Sequence, residues 1–167
     1  DIVGQAVFLF EVSHTDITFD FAQAGKPFPM LADRRQLGQA VTNILKNAAE
    51  SIRERVDKEG ADARGRIRVQ IISDQRKMRV SFADNGKGLP DERDRIVEPY
   101  VTTRTTGSGL GLAIVKKIVE EHQGELLLDD NPDGGAVVTM CFDLELLQQF
   151  GDAHPIHEEQ TKSERTD

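Results

Sequence analysis

Tryptophan is absent from these 167 residues, and cysteine and tyrosine occur once each. A lone Cys141 excludes an internal disulfide framework and a thiolate metal site. There is no basic excess. Lys+Arg 21 against Asp+Glu 29 gives a formal net charge of −8, so nucleic acid and anionic membrane surfaces are poor partners. No apolar run approaches the ~20 residues of a membrane-spanning helix. The first residues also lack the basic-then-apolar pattern of a secretory signal. The chain therefore reads as soluble and cytoplasmic, and it begins abruptly in an apolar run, as an excised piece would. What it does have is 167 residues with 38% hydrophobic content, enough for one domain with a real core and too short for two comfortable ones.

The periodicities give the order of elements. Val3, Ala6, Val7 and Phe10 recur at helical spacing, and Ile17, Phe19 and Phe21 alternate as a strand. Gly25-Lys26-Pro27 breaks that strand, and Phe28 with Met30 suggests a second short one. Asp33 is a good N-cap for a long helix whose apolar stripe is Leu37, Val41, Ile44, Ala48 and Ile52. At about 100° per residue, Asn43, Asn47 and Glu50 gather on the flank of that stripe, while Thr42, Lys46 and Arg53 face away. Gly60 to Gly65 is a charged connection. Ile67, Val69 and Ile71, then Met78, Val80 and Phe82, read as two strands across a turn at Asp74–Lys77. The second strand delivers Asp84 at its end. A helix from Leu112 to His122 follows, with Gly124 as its expected C-cap. Strands at Leu126–Asp129 and Val137–Phe142 then flank the turn Asn131-Pro132-Asp133-Gly134. Residues 151–167 are charged, with almost no large apolar side chains, and read as a disordered acidic tail after a domain spanning 1–150. Adjacent strands with helices between them imply an α+β two-layer sandwich, its mixed, mostly antiparallel sheet covered on one face by helices.

Two glycine clusters frame the middle of the chain: Asp84-Asn85-Gly86-Lys87-Gly88 and Gly107-Ser108-Gly109-Leu110-Gly111-Leu112. Backbone without Cβ can turn sharply and come close to a ligand. The second cluster runs into a helix, whose unpaired N–H donors and positive dipole end suit a phosphate. Leu89 to Thr106, between them, reads as a long mobile loop. Each cluster alone is weak, since a strand ending in an Asn-Gly turn gives the first pattern without any ligand. The second fits neither a dinucleotide fingerprint, whose third glycine is spaced differently, nor a P-loop, which needs Gly-Lys-Ser/Thr.

Four segments in order are more specific: Asn43-Ile44-Leu45-Lys46-Asn47-Ala48, Asp84 to Gly88, Glu98-Pro99-Tyr100-Val101-Thr102-Thr103-Arg104, and Gly107 to Leu112. Together they resemble the asparagine box, first glycine box, phenylalanine box and second glycine box of the ATP-binding catalytic domain of sensor histidine kinases. That domain belongs to the superfamily shared with gyrase, Hsp90 and MutL and has the Bergerat-type ATP-binding fold. The likeness covers roughly Asp33 to Phe142. The style of the boxes and the approach Ser13-His14-Thr15-Asp16-Ile17 are similar to the nitrogen-regulation sensors of the NtrY/NtrB group.

The resemblance implies ATP and Mg²⁺ as cofactors and assigns roles. Asp84 would accept a hydrogen bond from the adenine amino group, which a guanine oxo group would refuse, with Thr139 helping through water. Asn47 and Asn43 would hold Mg²⁺, a hard cation that keeps much of its water. Arg104 would neutralise the γ-phosphate, and Asn43, Asn47 and Arg104 are the expected catalytic set. Glu50, Gly86, Gly88, Thr102, Thr103, Gly107, Ser108, Gly109, Leu110 and Gly111 would line the nucleotide, with Ile96 and Leu112 as apolar walls for the base. Tyr100-Val101 departs from the usual aromatic pair. Asn43 stands where the ATP-hydrolysing members carry glutamate, and an amide cannot act as a general base. This favours a kinase over an ATP-hydrolysing clamp, with Glu50 the only candidate substitute base; a serine-directed kinase of the same superfamily is an alternative that only substrate assays exclude. A nucleotide-free interaction module is the remaining rival.

The implied partners are a histidine-bearing dimerisation domain, absent from this chain, and a response regulator. A full-length protein anchored in the inner membrane is compatible with the resemblance, but direct membrane contact by this piece is not expected. His14 precedes a strand and is followed by Thr15 rather than an acid, so it reads as a surface residue, not the phosphoacceptor. His122 ends a helix, where an imidazolium suits the dipole. His154 and His157 lie in the tail without partner ligands, and Cys141 alternates between Met140 and Phe142 as an ordinary strand residue.

Overall fold

The computed structural model describes residues 1–25, 32–60, 64–74, 76–98 and 110–146. Asp1 caps the first helix, α1 (Ile2–Ser13), its Oδ1 accepting the N–H groups of Val3 and Gly4 at 3.1 Å each. Only Val7 of α1 is buried, and Phe8, Leu9 and Val12 are each more than 60% exposed. Strand β1 (Ile17–Ala24) follows, then α2 (Arg34–Glu59), β2 (Gly65–Ser73), β3 (Lys77–Asp84), a 3-10 turn at Arg93–Val97, α3 (Gly111–Glu121), β4 (Gly124–Asp130) and β5 (Ala136–Asp143).

The five strands form one sheet in the order β1-β2-β3-β5-β4. β1 runs parallel to β2, and all other neighbours are antiparallel. Parallel neighbours need a crossover, and α2 supplies it. The expected mixed, mostly antiparallel sheet is what the structure has. Ile67, Val69 and Ile71 of β2, Val80 and Phe82 of β3, and Val138, Met140 and Phe142 of β5 are buried with Ile44, Leu45 and Ile52 of α2 and Val115, Ile118 and Val119 of α3. Burying each such side chain contributes roughly 1.5–3 kcal/mol. Their alternates Arg66, Arg68, Ser81, Thr139 and Cys141 point to the opposite face.

Local signals explain most boundaries. Asp33 caps α2 as expected, Oδ1 accepting from Arg35 N at 2.8 Å and Gln36 N at 3.0 Å. Gly60, at φ +97°, closes it. Asp74 closes the β2–β3 hairpin by accepting from the N–H groups of Arg76 and Lys77 at 2.8 and 2.7 Å.

Two expectations are corrected. Gly124 does not cap α3: it opens β4, where a Cβ would stand 2.6 Å from the Cys141 carbonyl, and Gln123 takes the left-handed position at φ 53°. Part of the supposed loop between the glycine clusters is ordered, as the 3-10 turn at Arg93–Val97, which contacts α3. The short strand expected at Phe28 and Met30 and the tail 151–167 lie outside the described residues.

Candidate functional site

Asp84 ends β3 and is only 4% exposed. It shares the helix-facing side of the strand with Phe82 and Val80, so its carboxylate belongs to the interior side of the sheet. Oδ1 accepts the N–H of Gly86 at 2.7 Å, which folds the Asp-Asn-Gly turn back on itself. Three elements hold that turn. Asn85 extends the β2 edge, its Oδ1 accepting from Arg66 N at 2.8 Å and its Nδ2 donating to Arg64 O at 3.0 Å. Lys87 N–H donates to Ser51 Oγ of α2 at 3.0 Å. Asn131 Nδ2, from the β4–β5 turn, donates to the Asp84 carbonyl at 2.8 Å. Gly86 is required here, because a Cβ would stand 2.2 Å from Ser51 Oγ.

On α2, Asn43, Asn47 and Glu50 are half-buried along the flank of the stripe, as the helical spacing predicts. Asn43 Nδ2 is buried with no hydrogen-bond partner among the described residues. Opposite them begins α3. Among the described residues no side chain caps its N-terminus, and the first amides of a helix point off its start. A Cβ on Gly111 would lie 3.3 Å from Asn47 Nδ2, so Gly111, the described glycine of the second cluster, meets the asparagine helix. Leu110, Gly111 and Leu112 are half-buried here, as is Ile96 of the 3-10 turn that contacts α3. Lys87, from the first glycine turn, pairs with Glu54 one turn further along α2, and Lys46 pairs with Glu50 at 3.9 Å.

Not every expected residue is gathered. Thr139 pairs with Ser81 and Leu127, out of phase with buried Val138, and therefore points to the sheet face opposite Asp84. Ala136 and Val138 are the β5 residues on the side of Asp84. The strand alternation was right but the choice of face was not. Thr102, Thr103, Arg104, Gly107, Ser108 and Gly109 lie outside the described residues.

Sequence reasoning missed Ser51, Asn131 and Gly135. Their roles are contacts with backbone 36 to 51 residues away, and no short-range spacing encodes such contacts. A concavity of about 360 Å³ is lined by Thr18, Arg66, Arg68, Asp84, Asn85 and Asn131, among others.

His122 is buried, at 8% exposure. Nδ1 bonds to the Ile118 carbonyl at 2.7 Å and Nε2 faces the Asp33 N–H at 3.1 Å. Both ring nitrogens of His122 are therefore engaged by backbone groups. It ties the end of α3 to the cap of α2. His14 stacks on Phe10 at 5.1 Å and its Nδ1 reaches the Phe10 carbonyl, a local helix-end role. Burial pushes the Cys141 thiol up from its ordinary value, as befits an unreactive strand residue.

The sequence profile of the histidine kinase-, DNA gyrase B- and HSP90-like ATPase family matches residues 32–146. The nitrogen regulation protein NtrY of Azorhizobium caulinodans is 49% identical over 135 residues, 80% of this chain and 17% of that protein. A putative NtrY-like sensor histidine kinase of Rickettsia bellii is 36% identical over 156 residues, 93% of this chain and 24% of that protein. The chain thus spans about a fifth of the length of these relatives. Among solved structures, the nucleotide-free catalytic domain of histidine kinase ThkA superposes with TM-score 0.72 at 28% identity, covering 86% of this chain and 92% of that one. The mycobacterial sensor histidine kinase MprB gives 0.71 at 28% identity, covering 85% and 91%.

Proposed function

The chain belongs to the histidine kinase-, DNA gyrase B- and HSP90-like ATPase family, and on that premise we propose that it is the ATP- and Mg²⁺-binding catalytic domain of a two-component sensor histidine kinase. It presents the γ-phosphate of ATP to a histidine on a separate dimerisation domain, from which a response regulator takes it. The observation that carries this reading is the approach of Gly111, at the start of α3, to Asn47, with buried Asp84 at the neighbouring strand end.

The residues fit the nucleotide and its metal. Asn43 Nδ2 is a buried donor without a partner among the described residues, suited to a phosphate or water oxygen. Asn47 borders a space that a Cβ at Gly111 would crowd, and the neutral amide oxygens of these side chains suit Mg²⁺ carried in on phosphates. The ion supplies charge neutralisation across the phosphate oxygens. Asp84 orients the purine: a carboxylate offers about four acceptor positions, so it can serve Gly86 and an exocyclic amine together. The first amides of α3 receive the phosphates, and Arg104 holds the transferred group. Phosphoryl transfer of this kind depends on positioning and charge stabilisation more than on covalent chemistry. Hydrolysis is disfavoured because Asn43 is an amide and cannot act as a general base, and Glu50 lies on the next turn of α2, 3.9 Å from Lys46.

Calorimetry with ATP·Mg²⁺ on the wild type and on Asp84→Ala tests the reading, followed by phosphotransfer to a supplied histidine-bearing domain. Wild type binds and Asp84→Ala does not. The absence of both heat and thermal shift for the wild type would defeat the proposal.

A further inference from the structure

The β3–β5 ladder pairs Ala83 with Val137 and goes no further. Beyond it Gly134 and Gly135 stand at φ +90° and +92°, where glycine is favoured, and the chain turns away. The next acceptor on β3 is the Asp84 carbonyl. It receives the Asn131 side chain at 2.8 Å instead of a strand amide. Asn131 is itself fixed within its turn, its carbonyl accepting from Gly134 N at 2.8 Å and its N–H donating to Gly135 O at 3.1 Å. The junction is closed: a Cβ on Gly135 would stand 2.2 Å from the Asp84 carbonyl and 2.7 Å from Gly86 N. The β4–β5 turn therefore bears on the Asp84 turn from one side, as Ser51 does from the other.

We propose that Asn131 is a positioning residue that sets purine discrimination by Asp84, an inference that rests on the nucleotide reading above. A carboxylate separates the two purine classes because a 6-amino group donates to it, whereas a 6-oxo group meets it with lone pairs. That discrimination depends on where the carboxylate is held, and a misplacement of ~1 Å can cost on the order of 10²-fold. The Asp84 carboxylate is tied through Gly86 N to the backbone of the turn whose carbonyl Asn131 grips. A tilt of the peptide after Asp84 carries the carboxylate with it.

The test is calorimetry on the 167-residue chain with ATP·Mg²⁺ and with inosine triphosphate·Mg²⁺, which differs at the 6-position. Wild type, Asn131→Ala, Asn131→Asp and Asp84→Ala are compared, with melting of each measured without nucleotide. Asn131→Ala removes the donor, and Asn131→Asp keeps the shape while setting an acceptor against the Asp84 carbonyl. Asn131→Ala should weaken ATP by up to the order of 10²-fold that a ~1 Å misplacement costs, and narrow the ATP-over-inosine ratio. Asn131→Asp should narrow it further. A merely structural role would lower melting and leave the ratio alone. If Asn131→Asp does not fold, Asn131→Ala carries the test. Wild-type ratios in the Asn131 variants, beside an Asp84→Ala that no longer binds, overturn this inference alone. A wild type that does not bind ATP, or an Asp84→Ala that binds as wild type does, overturns the nucleotide reading and this inference with it.

Discussion

Gly86→Ala tests how tightly the first glycine turn is held against α2. The new Cβ would sit 2.2 Å from Ser51 Oγ and 2.7 Å from the Ser51 backbone carbon. The hydroxyl can rotate away, but the mid-helix carbon cannot, because α2 is packed on both sides of the buried Ser51 by Ile52 and Ala48. Forced overpacking costs about 1–3 kcal/mol, and losing the Lys87 N–H bond to Ser51 Oγ adds about 1 kcal/mol. If the turn stays in place, a loss of about 2–4 kcal/mol should lower the melting temperature by roughly 5–10 °C for a chain of this size. If the turn instead retreats by ~1 Å, stability is spared and ATP affinity should fall on the order of 10²-fold. Differential scanning calorimetry and ATP·Mg²⁺ titration read the two branches separately. Adding Ser51→Gly removes the Oγ and Cβ contacts but leaves the backbone carbon, so recovery should be partial. A Gly86→Ala variant that both melts and binds as wild type does would refute the close approach.

Other expectations follow from the same geometry. Arg104→Ala should weaken ATP more than ADP in competitive titration, since its assigned partner is the γ-phosphate; equal loss for both nucleotides would remove that assignment. Leu45→Ala, at a fully buried position of α2, should cost about 2–5 kcal/mol in urea unfolding. His122→Ala should cost about 1–3 kcal/mol, because the Asp33 N–H and the Ile118 carbonyl lose their shared partner, and His122→Gln should recover part of it. The N–H groups of Gln36 and Arg35 hold the Asp33 carboxylate below its usual value of 3.8, and those of Arg76 and Lys77 do the same for Asp74. A depressed folded value means that the unfolded chain binds more protons, so this stability is complete above about pH 3.8 and lost as pH falls through the lower folded values. Asp33→Asn, which still caps, should flatten the acid limb of unfolding free energy against pH; an unchanged slope would contradict it.

The sequence was most informative where one element decides the outcome. The start of α2 at Asp33, and the placing of Asn43, Asn47 and Glu50 on one flank, need only a cap and a 3.6-residue period, and both appear in the structure. The sheet's mixed character was also legible, because strands separated by a long helix differ from strands separated by a turn. What failed needed a neighbour. Thr139 alternates correctly, but alternation does not reveal which face the helices cover until β5 is known to lie between β3 and β4. Gly124 looked like a cap because it follows a helix, whereas packing against the Cys141 carbonyl claims it for β4, and Gln123 absorbs the left-handed turn. Ser51 and Asn131 were invisible for a similar reason: each is an ordinary polar residue until another segment's backbone arrives beside it.

The parallel neighbours β1 and β2 have a mechanical corollary. The helix bearing the asparagines leaves one strand and returns as the adjacent one, and those two strands are zipped over eight residue pairs, from Ile17 with Gly65 to Ala24 with Ile72. It is a beam anchored at both ends, so sliding it lengthwise would mean unzipping that seam. On the proposed nucleotide reading, Asn43 and Asn47 stand on the side of the site expected to move least as nucleotide enters and leaves.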